Sequence, residues 1–242
     1  MRQSGRCLQC DSKQYNIKIS VWNLMRPNSK TVERNSLFLS TVNQIDPDII
    51  ILTETNSIID FGDKYFSVST TPLPKLVGKY SYKQGENRVT IFSKYPFVRQ
   101  IPTVDSYTSV CAETETPFGQ LIIYGTIIGF LGGLLEPFES DLKKQTLDLT
   151  QLVGQGNICF GGDLNIAFSG KAYPSKLVVK NVSELFDNLA MKNLTKDFND
   201  SAIHSIISNS FLENIKVEKD RVLSDKKITD HGLVTITLTK QV

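Results

Sequence analysis

Short apolar segments that lead directly into polar side chains constrain the fold of this chain more than any other feature. In the clearest case the apolar segment 158–160 is followed by Gly162, Asp163, Leu164 and Asn165. Burying this aspartate and asparagine without partners would cost several kcal/mol, so they either form a turn or meet a polar ligand. Because such segments recur far apart in sequence, they predict an active site assembled at the ends of several strands. The other strand ends of this kind are Asn23 after segment 17–22, Glu54 after segment 49–52, and Asp230 and His231 before segment 233–238.

Length and charge bound the class of protein without naming a function. The chain has 242 residues, of which 40% are hydrophobic and 21% charged, and its net charge is +2. These values are ordinary for a globular protein and compatible with a phosphate-bearing partner. We expect a polar tail over residues 1–14 and a single domain over residues 15–242. No apolar stretch is long enough for a membrane helix and no secretory signal opens the chain, so we expect a cytoplasmic protein. We also expect a monomer.

The four cysteines do not predict a complete metal site. Cys7 and Cys10 have the spacing of half a zinc site, whereas Cys111 and Cys159 lack a nearby second ligand. Tetrahedral zinc needs two such pairs. A polar tail is therefore the better interpretation of the segment around Cys7 and Cys10.

The periodicity of apolar residues predicts more strands than helices. A hairpin around residues 117–119 excludes a purely parallel sheet, and helices scattered between strands favour helical outer layers. We therefore predict an α+β fold, a four-layer αββα sandwich of two mixed, mostly antiparallel β-sheets with outer helices. The predicted strands are 17–22, 49–52, 66–70, 89–93, 109–115, 120–124, 158–160, 203–207 and 233–238, and the predicted helices are 28–45, 139–153 and one within 175–190.

Oxygen ligands dominate the polar strand ends. Glu54 is suited to a hard cation such as magnesium, which usually needs one or two carboxylates together with water and substrate phosphate. Asn23 or Asp230 could complete or support that shell, and the histidine and cysteine ligands that zinc prefers are absent from it. Asp163 is a possible base for a water nucleophile, and the Tyr124 phenol could donate to a phosphate oxygen. Carboxylate, cation, histidine and asparagine together suit in-line attack of water on a phosphate ester.

Taken in order, these motifs resemble the endonuclease/exonuclease/phosphatase family, which has the deoxyribonuclease I-like fold. The motifs span residues 17–238, nearly the whole chain. They are Trp22-Asn23, Leu52-Thr53-Glu54, Ser93-Lys94-Tyr95-Pro96, Tyr124-Gly125-Thr126, Gly162-Asp163-Leu164-Asn165 and Thr229-Asp230-His231.

The resemblance implies a role for each matching residue. Glu54 would bind magnesium, for which manganese could substitute, with Asn23 nearby and Asp230 close to the metal. Asp163 would orient or deprotonate water, Asn165 would help hold Asp163 and the phosphate, and His231 would contact the scissile phosphate. Tyr124 falls where the exonuclease III branch has its phosphate-binding tyrosine. Many phosphatase relatives have a histidine near that point, so the sequence leans toward the nuclease branch.

One segment departs from the family pattern. The family usually has an aspartate in the penultimate strand that orients the catalytic histidine. Here the segment reads Ala202-Ile203-His204-Ser205, so either Ile203 or His204 stands at the position of that aspartate. His231 would then lack an ion-pair partner that fixes its tautomer, unless a neighbour such as Asp200 substitutes. Activity would otherwise be reduced or absent.

Further substrate contacts are predicted at Asn87, Arg88 and His204. Lys75, Lys79, Lys83 and Arg88 cluster with Tyr80 and Tyr82 in the segment 71–88, a pattern compatible with nucleic acid binding. The alternative is a solvated loop without a binding role, and this interpretation is slightly favoured over nucleic acid binding. A histidine in the middle of a strand, such as His204, is more often packed in a core.

The sequence as a whole predicts a magnesium-dependent phosphoesterase that hydrolyses phosphodiester bonds, with DNA as the expected substrate of an endo- or exonuclease. Two alternatives stay open. One is the same fold acting on a small-molecule or lipid phosphate. The other is a catalytically weakened binding module, which the missing orienting aspartate and the modest net charge would suit.

Overall fold

A computed structural model of the protein describes residues 14–77, 80–129, 135–223 and 228–241. The predicted tail, except for its last residue Gln14, lies outside the described residues, as do Cys7 and Cys10. Among the described residues, no α-helix combines the length and the apolar character that a membrane crossing requires.

The described residues form β-strands that outnumber the α-helices, as predicted. The helices are α1 (Val32–Ile45), α2 (Leu135–Leu152) and α3 (Lys176–Asn188). The strands are β1 (Gln14–Asn23), β2 (Ile49–Asn56), β3 (Phe66–Ser69), β4 (Leu76–Val77), β5 (Tyr80–Ser81), β6 (Glu86–Ser93), β7 (Phe97–Ile101), β8 (Ser109–Thr116), β9 (Gly119–Ile127), β10 (Ile158–Asp163), β11 (Met191–Asn193), β12 (Ile203–Ser208), β13 (Ile215–Val222) and β14 (Leu233–Gln241).

Two six-stranded sheets are the centre of the fold. The strand order of the first sheet is β13-β14-β1-β2-β6-β3, and that of the second is β11-β12-β10-β9-β8-β7. Strand β1 pairs in parallel with β2, and β9 with β10, whereas the other pairs in these sheets are antiparallel. The prediction of two mixed, mostly antiparallel sheets is thereby confirmed.

Alternate residues of the facing strands fill the space between the sheets. In β1, Ile17, Ile19 and Val21 belong to this core and are fully buried. The two sheets approach closely at Gly161 of β10, where an added Cβ would lie 2.9 Å from Cδ1 of Ile51 in β2. Glycine at this position therefore removes side-chain volume where the opposite sheet lies close.

The helices cover the outer faces of the sandwich. Helix α1 packs Phe38 edge-on against Trp22 of the first sheet, with ring centroids 5.0 Å apart. On the other side, Leu149 of α2 and Phe186 of α3 belong to one apolar cluster with Phe160 of the second sheet. Helix, sheet, sheet and helix thus form the four layers that the sequence predicts.

Five strands were not predicted from the apolar pattern: the short pair β4 and β5, which lies within the segment 71–88, and three edge strands of the six-stranded sheets. Strand β13 alternates between partly buried Ile215 and Val217 and exposed charges such as Lys216 and Glu218. Such an edge strand buries little apolar surface, so its amphipathic signal is weak and its charges resemble those of a loop. Strands β7 and β11 also lie at sheet edges.

Gly162 fixes the backbone immediately before Asp163. Its φ is +147°, and a Cβ there would lie 1.8 Å from the carbonyl oxygen of Thr126 in β9. Only glycine fits so close to the neighbouring strand in this conformation. The strand that carries Asp163 therefore depends on this glycine for its last parallel pairing.

We expect Gly162→Ala to lower the free energy of unfolding by more than about 2 kcal/mol, because the methyl group collides with backbone. Chemical denaturation measures the change. The matched control is Gly154→Ala, whose Cβ would meet nothing within 4 Å and whose φ is not left-handed. Equal unfolding free energies for the two variants would contradict the predicted clash.

Candidate active site

The strand-end motifs converge at one edge of the sandwich. Asn23 ends β1, Asp163 ends β10, and Glu54 lies near the end of β2. His231 precedes β14, which runs antiparallel to β1 with Val21 opposite Val234. Parallel and antiparallel pairing together bring the four motifs to the same end of the two sheets.

Asn23 joins the carboxylates of the two sheets. Its Nδ2 donates to Oδ2 of Asp163 at 2.7 Å and to Oε1 of Glu54 at 3.3 Å. Its Oδ1 accepts from the backbone N–H of Met25 at 2.8 Å, which fixes the orientation of the amide. Asn23 therefore positions both carboxylates through its amide donors, and its role as a metal ligand stays a prediction.

Asp163 is held as a buried carboxylate. It is only 2% exposed, and its Oδ1 accepts from the backbone N–H of Asn165 at 3.0 Å. Burial raises its pKa, an effect opposed by the nearby His231 and by the hydrogen bonds from Asn165 and Asn23. Asn165 uses its side-chain amide to donate to the Ile128 carbonyl at 2.7 Å, so its backbone rather than its side chain holds Asp163.

Glu54 is the more accessible of the two carboxylates. Its side chain is partly exposed. Burial raises its pKa, Asp163 adds to this increase through charge repulsion, and the Asn23 hydrogen bond acts against it. The backbone carbonyl of Glu54 accepts from the N–H of Arg26 at 2.8 Å, which connects the ends of β1 and β2.

His231 faces two carboxylates with the same ring nitrogen. Its Nε2 lies 3.1 Å from Oδ1 of Asp230 and 3.8 Å from Oδ2 of Asp163. Asp230 itself is exposed, with 61% of its side-chain surface accessible. Asp230 thus contacts His231, and its predicted contact with a metal stays a prediction.

Two motif residues for which no role was predicted hold the His231 segment. Trp22 Nε1 donates to the His231 carbonyl at 3.1 Å. Thr229 Oγ1 donates to the Asn23 carbonyl at 2.9 Å and accepts from the His231 N–H at 3.2 Å. The sequence signals that could have indicated these roles are the indole nitrogen of Trp22 and the hydroxyl of Thr229, which both lie within the strand-end motifs.

The site is built on an unusual backbone. Met25, Arg26, Glu54 and Asn165 all have positive φ, between 46° and 57°. Such conformations cost roughly 1–3 kcal/mol each for residues other than glycine and persist where surrounding contacts enforce them. Their concentration next to the carboxylates indicates that the fold maintains this geometry against local preference.

The structure resolves the register around the missing aspartate. Ile203 of β12 pairs with Asp163, and His204 pairs with Gly162. None of the hydrogen bonds among the described residues involves Nδ1 of His231. Among the described residues His231 pairs with Asp163 and Asp230 and not with Asp200, whose Oδ1 accepts from the backbone N–H of Lys171 at 2.8 Å.

His204 is a core histidine, which corrects its prediction as a substrate contact. It is fully buried, and Nε2 lies 2.9 Å from the carbonyls of both Ile166 and Ser201. Its Nδ1 lies 3.1 Å from Thr195 Oγ1. Burial lowers its pKa to about 4, so the ring is neutral at physiological pH.

Tyr124 lies on the wrong face of its strand for a phosphate contact, which corrects its predicted role. It is fully buried beneath the helices, and its hydroxyl donates to Asp148 Oδ2 at 2.6 Å. Burial raises its pKa well above the usual value, and the negative charge of Asp148 adds to this effect. The β9 residue in register with Asp163 is Ile127.

The predicted contacts at Asn87 and Arg88 lie in β6, on the Glu54 side of the site. Arg88 is 5% exposed and donates from Nη2 to the Tyr82 hydroxyl at 2.5 Å. Its positive charge lowers the pKa of Glu54. Asn87 is also buried, and its Oδ1 accepts from Thr90 Oγ1 at 3.1 Å. Their contact with substrate stays a prediction.

Glu54 is the residue best placed to hold a divalent cation. Among the described residues, no group of three or more His, Cys, Asp or Glu side chains surrounds a common cation position. Magnesium needs fewer protein ligands, because water and substrate phosphate complete its shell. A partly exposed carboxylate beside the buried charge of Asp163 fits that requirement.

Comparison with known proteins identifies the fold. No protein-family profile matches the chain, and no curated protein is significantly similar to it. A solved endonuclease/exonuclease/phosphatase from Beutenbergia cavernae has a TM-score of 0.66 at 14% identity, covering 92% of this chain and 71% of the other. The chain has the endonuclease/exonuclease/phosphatase fold.

Two further structures share this fold over almost their full length. A D. rerio TDP2 humanized by 14 mutations has a TM-score of 0.66 at 12% identity, covering 92% of this chain and 98% of the other. An AP endonuclease from Archaeoglobus fulgidus has a TM-score of 0.62 at 13% identity, covering 91% of this chain and 98% of the other. At such identities the likeness lies in the endonuclease/exonuclease/phosphatase fold itself.

We expect Asn23→Ala to raise the pKa of Asp163 further. The buried carboxylate would lose the amide donor that stabilises its ionised form, so protonation would occur at higher pH. Carboxyl-carbon NMR titration measures the change. Asn165→Ala is the control, because it keeps the backbone N–H that reaches Asp163; equal shifts in both variants would contradict the role given to the Asn23 amide.

Proposed function

We propose that this protein is a magnesium-dependent phosphoesterase that hydrolyses phosphodiester bonds in nucleic acid, with DNA as the favoured substrate. The observation that carries the proposal is the Asn23 amide, which donates to Glu54 and Asp163 beside His231. The solved proteins with this fold include an AP endonuclease and TDP2, which supports the same class of reaction.

Asp163 is proposed as the base that activates water. Burial raises its pKa, which makes the ionised carboxylate a stronger proton acceptor near neutral pH. The donors from Asn23 and Asn165 fix both of its oxygens. Activity should therefore fall as the pH drops through a value above that of an ordinary aspartate, because the protonated acid cannot accept a proton.

Glu54 would hold the magnesium ion, and manganese could substitute for it. A bound divalent ion supplies positive charge that stabilises the developing charge on the phosphate oxygens. The Asn23 donor keeps the Glu54 carboxylate in place beside Asp163. The raised pKa of Glu54 makes cation binding weaken as pH falls, because the proton and the cation compete for the same carboxylate.

His231 is proposed to donate a hydrogen bond to a non-bridging phosphate oxygen. Its Nε2 already faces Asp163 and Asp230, so a phosphate close to these carboxylates would lie within its reach. Trp22 and Thr229 hold its backbone. This arrangement needs no covalent intermediate, because water attacks the phosphorus directly.

A catalytically weakened binding module is the second candidate function. The observation that favours it is the pair of apolar neighbours of Asp163, since Ile127 and Ile203 stand in register on either side of it. Neither side chain can orient His231. Binding of nucleic acid without turnover would be the result if ring orientation by a carboxylate is essential.

The decisive experiment measures cleavage of a substrate panel with and without magnesium. The panel contains plasmid, single-stranded DNA, abasic duplex, a generic phosphodiester, and a phosphate monoester. We expect magnesium-dependent cleavage of a diester, with Asp163→Asn lowering kcat by about 10²–10⁴-fold, the usual contribution of a general base. Cleavage of the monoester alone would favour a small-molecule phosphatase.

Glu54→Gln separates the metal role from folding. It keeps an oxygen that can accept from Asn23 but removes the charge that would hold the cation. We expect magnesium to raise the Tm of the wild-type protein and to leave the Tm of the variant unchanged. Full activity of both Asp163→Asn and Glu54→Gln would overturn the proposed function.

Tyr124→Phe tests whether the phenol of Tyr124 takes part in catalysis. We expect unchanged kcat and KM, with the unfolding free energy lowered by about 1–3 kcal/mol because buried Asp148 loses a donor. Activity assays and chemical denaturation on the same preparation measure both effects. A large loss of kcat at unchanged stability would return Tyr124 to the site.

A further inference from the structure

A groove with a volume of about 910 Å³ opens on the Glu54 side of the site. Its walls come from the segment before α1, the residues that follow β2, and the segment that carries β4 and β5. Ser57 and Ile58, three and four residues beyond Glu54, line it. The groove therefore begins just beyond the end of the strand that carries Glu54.

Arg26 connects this groove to the site. Its backbone N–H donates to the Glu54 carbonyl at 2.8 Å, while its guanidinium pairs with Glu86 in the groove wall. Its Nη2 also donates to the Ser81 carbonyl at 2.7 Å. One residue thus holds Glu54 and the β4–β5 segment in a fixed relation.

The charge facing the groove is positive. Lys30, Lys75 and Lys83 line it with exposed side chains, and no salt bridge among the described residues involves any of them. Glu86 also lines the groove, but its carboxylate is 3% exposed and neutralised by Arg26. Three lysines therefore face solvent there without a paired anion.

The aromatic residue of the groove is not available for stacking on a base. Tyr82 is 7% exposed. The Cζ atoms of Arg26 and Arg88 lie 5.1 Å and 5.2 Å from its ring centroid. Proteins that bind single strands through bases need accessible aromatic faces, which Tyr82 lacks. Recognition in this groove therefore relies on charge.

We propose that the groove binds the sugar–phosphate backbone of a nucleic acid strand through Lys30, Lys75 and Lys83, independently of base sequence. The inference rests on the proposed function, because it assigns a binding surface to the part of the nucleic acid that extends from the active site past Glu54. A concave channel with lysines around it matches a chain of phosphates better than it matches a flat membrane surface.

The test is the triple variant Lys30→Gln, Lys75→Gln, Lys83→Gln. Binding of fluorescein-labelled single-stranded and duplex oligonucleotides of two unrelated sequences is measured by anisotropy in EDTA over a range of salt. We expect Kd to rise about tenfold or more for both sequences. The salt slope for the single strand should fall by about 2, at about 0.7 for each phosphate that the variant no longer neutralises.

Two matched variants control for net charge and folding. Lys176→Gln, Lys180→Gln, Lys192→Gln removes the same charge on and next to α3, at the opposite face of the sandwich, and should leave Kd nearly unchanged. The Arg replacements at Lys30, Lys75 and Lys83 should keep tight binding. Equal weakening by the two glutamine triples would overturn the proposal, as would strong sequence preference.

Anionic vesicles and a small diester distinguish the remaining outcomes. Wild-type binding to vesicles but not to oligonucleotides would overturn the groove assignment in favour of a lipid surface. Hydrolysis of bis(p-nitrophenyl) phosphate should be the same in the wild type and the groove variant. Its absence in the wild type would count against the proposed activity, while the binding measurements in EDTA would still decide the role of the groove.

Discussion

A buried side-chain amide joins the two sheets at the point where the chemistry is expected. Asn23 belongs to the first sheet and donates to Asp163 of the second, as well as to Glu54 of its own sheet. Two neighbouring carboxylates repel each other and are costly to bury, so a shared donor is needed to hold both ionised forms. The backbone carbonyl of Asn23 accepts from Thr229, which in turn accepts from the N–H of His231. All the strand-end motifs therefore depend on the position of this one residue.

The surrounding fold works against local preferences to keep that arrangement. Glu54 and Asn165 have left-handed backbone conformations, and burial raises the pKa of both Asp163 and Glu54. These features oppose stability at neutral pH, where the carboxylates must be charged. The apolar core between the sheets and the close packing at Gly161 supply the rigidity that offsets them. Geometry that is unfavourable in isolation is thus maintained by packing at a distance from the site.

The sequence predicted the layers of the fold and the convergence of the strand-end residues because strand ends are local signals. The convergence of Asn23, Glu54, Asp163 and His231 follows from polar residues that end apolar strands. Which face of a strand a side chain occupies was harder to predict where both faces are buried. Strand β9 reads Leu121, Ile122, Ile123 and Tyr124, all buried, so no alternation of apolar and polar residues reveals its faces.

The substrate contact predicted for His204 was wrong for the same reason, whereas the alternative of a histidine packed in the core is confirmed. The residues around it in β12 are buried on both sides of the sheet, and the sequence gives no sign of the carbonyls that satisfy its ring. The edge strand β13 was missed for the opposite reason. Its exposed charges are typical of a loop, although it pairs regularly with β14. Tertiary contacts determine the burial of His204 and the pairing of β13, whereas the strand-end motifs can be recognised from local sequence.

The apolar neighbours of Asp163 have two consequences that act in opposite directions. Ile127 and Ile203 flank the carboxylate in register and are almost fully buried, so they contribute to the desolvation that makes Asp163 a stronger base. The same positions then offer no carboxylate to His231. Asp230 contacts the ring instead, but its exposure to solvent screens that interaction. Trp22 and Thr229 fix the backbone of His231 without selecting a tautomer. In the proposed function, the ring would gain its final orientation from the phosphate that it contacts, so hydrolysis would depend on how the substrate is positioned.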